Sequence, residues 1–396
     1  MVFINRKIEQ QIHEVVKYFP ALVLTGARQM GKTTLLQQLF PDYNYVTLDR
    51  PLTAEQAETD PESFLAQNPP PLVVDEVQYA PSLFRWLKIR IDENRSAKGQ
   101  FVLTGSQKLT LMKGVSESLA GRAAILELEG LGCQELLDAG MITASPEVYK
   151  DIILRGGFPE LWVDKGRPTG IFFDSYIATY LERDVKQILS VGNLRDFERF
   201  LRACALRSSQ ILNKSELARD VGISATTAGE WLSVLQASSQ IVLLEPWFSN
   251  LTKRLVKSPK LFLTEPALIL ALSGITAENI LKSPMIGAIW ESFVFAELRK
   301  QLSFSGVKPR LWYYRDQSGR EADFIWEQGH QLVLFECKWT SSPTSQMAKN
   351  LYDVETIFRQ SATSHYEIMD KRLVTRGMET VRGEDVSYRS PLAGLL

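Results

Sequence analysis

The nine residues Gly26, Ala27, Arg28, Gln29, Met30, Gly31, Lys32, Thr33 and Thr34 tie the start of this chain to a narrow class of folds. They follow an apolar run, Ala21 to Leu24, and lead into Leu35 and Leu36, so they read as a loop between a buried strand and a helix. A glycine at each end admits backbone torsions that a Cβ forbids, which lets N–H groups turn inward. With the positive end of the following helix, those donors form a cradle for the β- and γ-phosphates of a nucleotide. In this pattern Lys32 reaches the phosphates and the Thr33 hydroxyl binds Mg²⁺. The competing reading, a tight turn with a surface lysine, leaves the coincidence of strand, loop and helix unexplained.

Such a loop needs a second half, and PLVVDEVQYAP at 71–81 supplies one. Leu72, Val73 and Val74 have no alternation and read as a buried parallel strand. Asp75 at its end would hold Mg²⁺ through water, and Glu76 would orient and deprotonate the attacking water. The acidic pair could instead cap a helix over 81–95. The strand in QFVLTGSQ, 100–107, would carry Thr104 and Ser106 towards the phosphates, unless Gly-Ser-Gln is only a turn. Arg122, just before a further strand, could reach a neighbouring subunit's ATP as a finger, or sit in a surface salt bridge. Residues 18–128 thus predict alternating strands and helices, a parallel sheet with helices on both faces and the ligand at the strand carboxyl ends. The expected activity is ATP hydrolysis, with ATP and Mg²⁺ as cofactors.

Residues 131–200 have helical spacing broken by Gly156, Gly157 and Pro159, which suits a small helical lid. Ile171, Phe172, Tyr176, Tyr180 and Leu181 form an apolar stripe read as core, and Arg155 is either a phosphate contact or a packing residue. Residues 213–247 look like helix-turn-helix, with Ser215 as cap, Gly222 at the turn, and Leu217, Ala218, Val221, Trp231, Leu232 and Leu235 inward. IVLLEPWF and KLFLT then read as the strands of a wing. The second helix exposes Thr226, Thr227, Glu230 and Ser233 and no basic residue, which is poor equipment for reading bases. Lys253, Arg254, Lys257 and Lys260 cluster in the wing, where they could grip DNA phosphates without sequence preference. Packing against a protein partner remains the alternative for this module.

Near the end, GREADFIWEQGHQLVLFECKW at 319–339 predicts a hairpin turning at Gly329-His330. Folding there sets Asp323 opposite Glu336, with Lys338 on the same face as Glu336. Glu291, on the amphipathic helix expected for IGAIWESFVFAELRK, could join them. Two carboxylates and a lysine are what a metal-dependent phosphodiester cleavage site requires: Asp323 and Glu336 for the metal, with Glu291 as a third carboxylate that could join them, and Lys338 for the attacking water. Alternating charge on an exposed strand can produce the same pattern, but Val333, Leu334, Phe335 and Cys337 make this strand a buried one, where unpaired charge is costly.

Composition adds exclusions. The net charge is -1, with 45 Lys plus Arg against 46 Asp plus Glu, so any attraction to nucleic acid must be local. Three distant cysteines and three scattered histidines give neither a disulfide framework nor a zinc knuckle. No signal-peptide core opens the chain and no apolar stretch is long enough to cross a bilayer, so a cytoplasmic protein without membrane contact is expected.

Taken together, LTGARQMGKTTLL, VVDEVQ, LTGSQ, ESLAGR, RGGFPELW, YLERDV, KSPKLFLTEPAL, WESFVFAEL and the ADF…FECK pair resemble the prokaryotic AAA-type ATPases that carry a C-terminal domain of unknown function of restriction-endonuclease-like type. The resemblance implies an AAA-type ATPase core, a winged-helix middle and a nuclease-like end; with the lid read from spacing, the expected bounds are 1–130 for the core, 131–200 for the helical lid, 201–280 for the winged helix and 281–396 for an α/β nuclease-like domain. It also implies phosphate and Mg²⁺ ligation by Lys32 and Thr33, and the metal-holding and base roles of Asp75 and Glu76. Glu291, Asp323, Glu336 and Lys338 match its nuclease-like signature. Glu265 stands where relatives usually have aspartate. The expected function is a Mg²⁺-dependent ATPase that controls DNA engagement and can cut DNA, with a homo-oligomer required only if Arg122 serves a neighbour. The alternative is an ATP-gated interaction module that cuts nothing, while a metabolic kinase is disfavoured by Glu76 beside Asp75.

Overall fold

The apolar run before the glycine loop forms β1 (Ala21–Thr25), buried along its whole length. The computed structural model of the chain describes residues 3–396 except 107, 182–184, 186–193, 249–257, 305–309, 361–365, 378–380 and 383–384. Four more parallel strands, β2 (Asn44–Thr47), β3 (Leu72–Asp75), β4 (Phe101–Thr104) and β5 (Ala123–Glu127), complete a sheet in the order β2-β3-β4-β1-β5, flanked by helices. The crossovers are helical, as parallel strands require. The helix Leu83–Glu93 buries Leu83, Phe84, Leu87 and Ile91 in a core shared with Val23, Val74 and Leu103. Because β4 lies between β1 and β3, its end falls between the glycine loop and Asp75.

The chain divides into two compact units. The first comprises 1–131 with 158–160 and 237–239, and the second holds the remainder. Helices Cys133–Asp138, Val148–Arg155 and Thr169–Tyr180 fill the stretch expected to be helical and belong to the second unit. Phe172, Tyr176, Tyr180 and Leu181 are buried as expected, but Ile171 is 68% exposed, because it falls one position off the stripe. Arg155 donates to the carbonyls of Leu161 and Lys165 and lies over Trp162, a packing role.

Helices Lys214–Val221 and Ala225–Ala237 flank Gly222, whose φ of 83° is the left-handed conformation that closes the turn. The cap is Asn213 rather than Ser215: its side chain accepts from the amides of Ser215 and Glu216. A three-stranded antiparallel sheet, β6 (Gln210–Ile211), β8 (Lys260–Leu263) and β7 (Ile241–Leu244), accompanies them.

The C-terminal sheet is mixed, ordered β13-β14-β12-β11-β10-β9. β9 (Leu311–Arg315) and β10 (Glu321–Gln328) precede the hairpin partner β11 (Gln331–Cys337), and β12 (Glu367–Val374) runs parallel to β11. Short strands β13 (Val381–Arg382) and β14 (Ser387–Arg389) close the edge. The hairpin turns at Gly329, φ 61°, with register from Gln328↔Gln331 to Phe324↔Phe335. The register ends one step short of Asp323 and Glu336, and there the Cys337 amide donates to the Asp323 carboxylate. The helix Ile286–Phe304 is buried on nearly all sides rather than amphipathic, since Trp290, Phe293, Val294, Phe295, Glu297 and Lys300 all lie inside. Two of its charged members, Lys300 and Glu297, pair within the helix at 3.0 Å.

Candidate functional site

The glycine loop takes left-handed torsions at Gln29, φ 62°, and Gly31, φ 88°, the curled backbone that makes an anion-holding nest. Gly26 has no room for a side chain, since a Cβ there would lie 2.3 Å from the Leu128 carbonyl oxygen. Lys32, buried at the start of the helix Lys32–Leu39, donates to the carbonyls of Gly26 and Ala27, both at 2.9 Å, and so curls back over its own loop. Arg6, which no motif pointed to, ties the loop down by donating to the Met30 carbonyl at 3.0 Å and the Glu129 carbonyl at 2.7 Å. Pro159 approaches the loop as well, its Cγ standing 3.7 Å from where a Cβ on Gly31 would be.

Asp75 faces this loop. Its Oδ2 accepts from Thr33 Oγ1 at 2.9 Å and from the Tyr45 hydroxyl at 2.6 Å, while Oδ1 is buried with no partner. An orphaned carboxylate oxygen beside a threonine hydroxyl suits a hydrated divalent cation. Burial, with the Asp75 carboxylate adding to it, pushes the Tyr45 phenol up, so it remains a hydrogen-bond donor. Glu76 takes a left-handed φ of 57° and its carboxylate accepts from the Ser106 amide at 3.3 Å, the Ser106 hydroxyl at 3.1 Å and Gln78 Nε2. Neither acidic side chain caps the helix Leu83–Glu93. Ser106 therefore lies at the site, in contact with Glu76. Gly105 leaves the space that Gln78 fills, since a Cβ there would stand 2.3 Å from Gln78 Oε1.

Arg122 lies elsewhere. Its carbonyl accepts from the Ala21 amide, at the amino end of β1, whereas the glycine loop leaves the carboxyl end. Its guanidinium makes a two-pronged pair with Asp92, 2.8 Å on each arm.

In the second unit the hairpin gathers a second group. Glu336 Oε1 accepts from Lys338 at 2.7 Å and Asn350 at 3.1 Å, and its Oε2 is buried without a partner. Asp323 accepts from the Cys337 amide at 2.7 Å. Glu291 and Asp323, however, converge on a lysine and not on each other. Lys260 Nζ lies 2.9 Å from Glu291 Oε1, 2.5 Å from Glu321 Oε1 and 3.9 Å from Asp323 Oδ1. The expectation that Lys260 faces DNA phosphates is thus overturned: its side chain is 2% exposed, pointing inward from the first position of β8. Lys253, Arg254 and Lys257 lie outside the described residues.

Burial, then the Asp323 charge, pushes Glu291 up to about 8 and Glu336 up to about 7, and burial raises Asp323 too. Burial on its own would lower Lys260, but the carboxylates of Glu291, Asp323 and Glu321 outweigh it and keep the ammonium charged. Among the described residues no group of three or more His, Cys, Asp or Glu is disposed to hold a metal ion. A separate carboxylate, Glu265, caps the helix Pro266–Ser273 and accepts from the Gly157 amide at 2.9 Å. The closeness of Glu265 leaves no room for a Cβ on Gly156, so the glycine pair and the glutamate work as one structural joint.

Residues 18–137 match the AAA domain family, 146–279 a domain of unknown function (DUF8612), and 286–393 a domain of unknown function (DUF4143). Uncharacterized proteins of Mycobacterium bovis and Mycobacterium tuberculosis are each 32% identical over 348 residues, covering 87% of this chain and 76% of theirs. Among solved structures, a Walker-type ATPase of Pyrococcus abyssi is similar at 15% identity and a TM-score of 0.47, over 68% of this chain and 96% of that one. No helix among the described residues is long and apolar enough to cross a membrane.

Proposed function

The chain belongs to the same family as these two uncharacterized mycobacterial proteins and carries an AAA domain at 18–137, and from that premise we propose that it is a Mg²⁺-dependent ATP hydrolase whose nucleotide state governs engagement of DNA by the second unit. The observation that carries the hydrolase reading is Asp75, with one oxygen on Thr33 and the other orphaned, directly followed in sequence by Glu76. Thr33 and Asp75 would hold the Mg²⁺, which neutralises charge on the transferring phosphate. Lys32 would exchange its two carbonyl partners for phosphate oxygens. Glu76 would accept a proton from the attacking water once it leaves Ser106 and Gln78. Lys32→Ala is expected to lose at least about tenfold in ATP affinity, since a charged hydrogen-bond donor is worth roughly 1.5–3 kcal/mol. An unchanged nucleotide-induced thermal shift would argue against the reading.

For the second unit, we read the helix pair and three-stranded sheet as a winged helix, with Lys253 and Arg254 as phosphate contacts. Their reversal to glutamate should weaken DNA binding and flatten its salt dependence; no change in either would remove DNA from the account. Engagement without cutting is favoured over cleavage, because a buried lysine already sits beside Glu291 and Asp323, two of the three carboxylates expected to bind metal.

A further inference from the structure

The restriction-endonuclease resemblance implies a divalent cation held by Glu291, Asp323 and Glu336, and Glu291 and Asp323 do not fit it. Glu336 turns one oxygen to Lys338 and Asn350 and keeps the other buried without a partner, while Glu291 turns to Lys260. A divalent ion bridging Glu291 and Asp323 would need oxygens at about 2.0–2.6 Å and would have to share their midst with an ammonium. Two cations in one largely buried pocket repel strongly, so the site accepts one or the other.

Lys260 cannot simply swing aside. It opens β8, paired on both edges with Ile211 and Leu244. Two residues on, and therefore on the same side of the strand, Phe262 stacks on Phe295 at 4.4 Å and lies 5.7 Å from Phe324. These rings come from the helix that carries Glu291 and from the strand that carries Asp323. The Lys260 ammonium lies 5.5 Å from the Tyr313 ring, and the Tyr313 hydroxyl bonds the Ser258 carbonyl at 2.6 Å. The lysine is thus fixed by its strand, by the ring stack beside it and by carboxylates on two elements.

We propose that Lys260 is the built-in cation of this cluster: it takes the place of the divalent ion, locks β8 to the C-terminal sheet, and leaves a latent metal site that opens only when its charge is removed. The inference rests on the reading that the second unit engages without cutting, and it is independent of ATP hydrolysis. Its test is Mn²⁺ binding to the full-length, nucleotide-free protein, followed by the electron paramagnetic resonance of free Mn²⁺. Wild type and Asp323→Asn should bind the same number of Mn²⁺ ions. Lys260→Met, which keeps the stem and removes the charge, should gain one site with at least about tenfold tighter binding, and Lys260→Met with Asp323→Asn should lose it again. A wild-type Mn²⁺ site that Asp323→Asn abolishes would overturn the proposal, and so would a folded Lys260→Met that gains none. Should Lys260→Met fail to fold, wild type against Asp323→Asn still decides: equal stoichiometry supports the built-in cation, a lost site overturns it. Failure of this proposal would leave phosphate release at the glycine loop untouched.

Discussion

Glu336→Gln isolates the cost of keeping a charge inside the C-terminal sheet. The wild-type side chain is 3% exposed and has one oxygen without a partner. Burial, reinforced by Asp323, moves its pKa from 4.5 to about 7. The folded protein therefore holds this proton more tightly than the unfolded chain, so the group favours folding most below about pH 4.5, and that contribution is lost as pH rises through about 7. At about 1.4 kcal/mol per pH unit, the penalty at pH 8 reaches roughly 3 kcal/mol. Glutamine keeps the shape and can still accept from Asn350. The attraction of Lys338, which is 40% exposed, is already contained in the raised pKa, so its loss carries no separate cost. The variant should be more stable than wild type by roughly 3 kcal/mol at pH 8, with the gain falling below about 1 kcal/mol at pH 5. Thermal melts of both proteins across that range, without nucleotide, read this directly. A difference that does not change with pH, or a variant less stable than wild type at pH 8, would refute the argument that the buried charge carries the cost.

Two further outcomes are expected. Tyr45→Phe removes the 2.6 Å bond that orients Asp75; it should leave ATP binding in place while raising the Mg²⁺ needed for half-maximal turnover by roughly tenfold, read from a Mg²⁺ titration of phosphate release. Arg122→Ala should leave turnover unchanged, because Asp92 already engages that guanidinium at the opposite end of the strands; loss of turnover with ATP binding intact would show that it serves a neighbouring subunit.

The glycine loop, the strand ending at Asp75 and the Gly329 hairpin were all legible, because each is written locally: a glycine where φ is positive, an apolar run, a turn pair between strands. The partners of those residues were not. Tyr45 and Arg6 reach the nucleotide site from other elements, and nothing in their own neighbourhoods announces it, while Gln78 sits two residues from the Glu76 it bonds. Lys260 shows the limit most clearly. Beside Lys253, Arg254 and Lys257 it reads as one more basic residue of a wing, and only pairing in β8 decides that it points inward at three carboxylates. The sequence groups Glu291 with the hairpin carboxylates, yet the cation beside Glu291 and Asp323 comes from β8, a strand distant from both in the sequence.

The most direct test of the hydrolase is phosphate release from ATP by the wild-type protein and by Glu76→Gln, with nucleotide binding measured on the same samples. The account predicts Mg²⁺-dependent release by wild type, and a fall of about 100- to 10,000-fold in Glu76→Gln with ATP still bound. Turnover at the wild-type rate in Glu76→Gln, or no release by a wild-type protein that binds ATP, would contradict it.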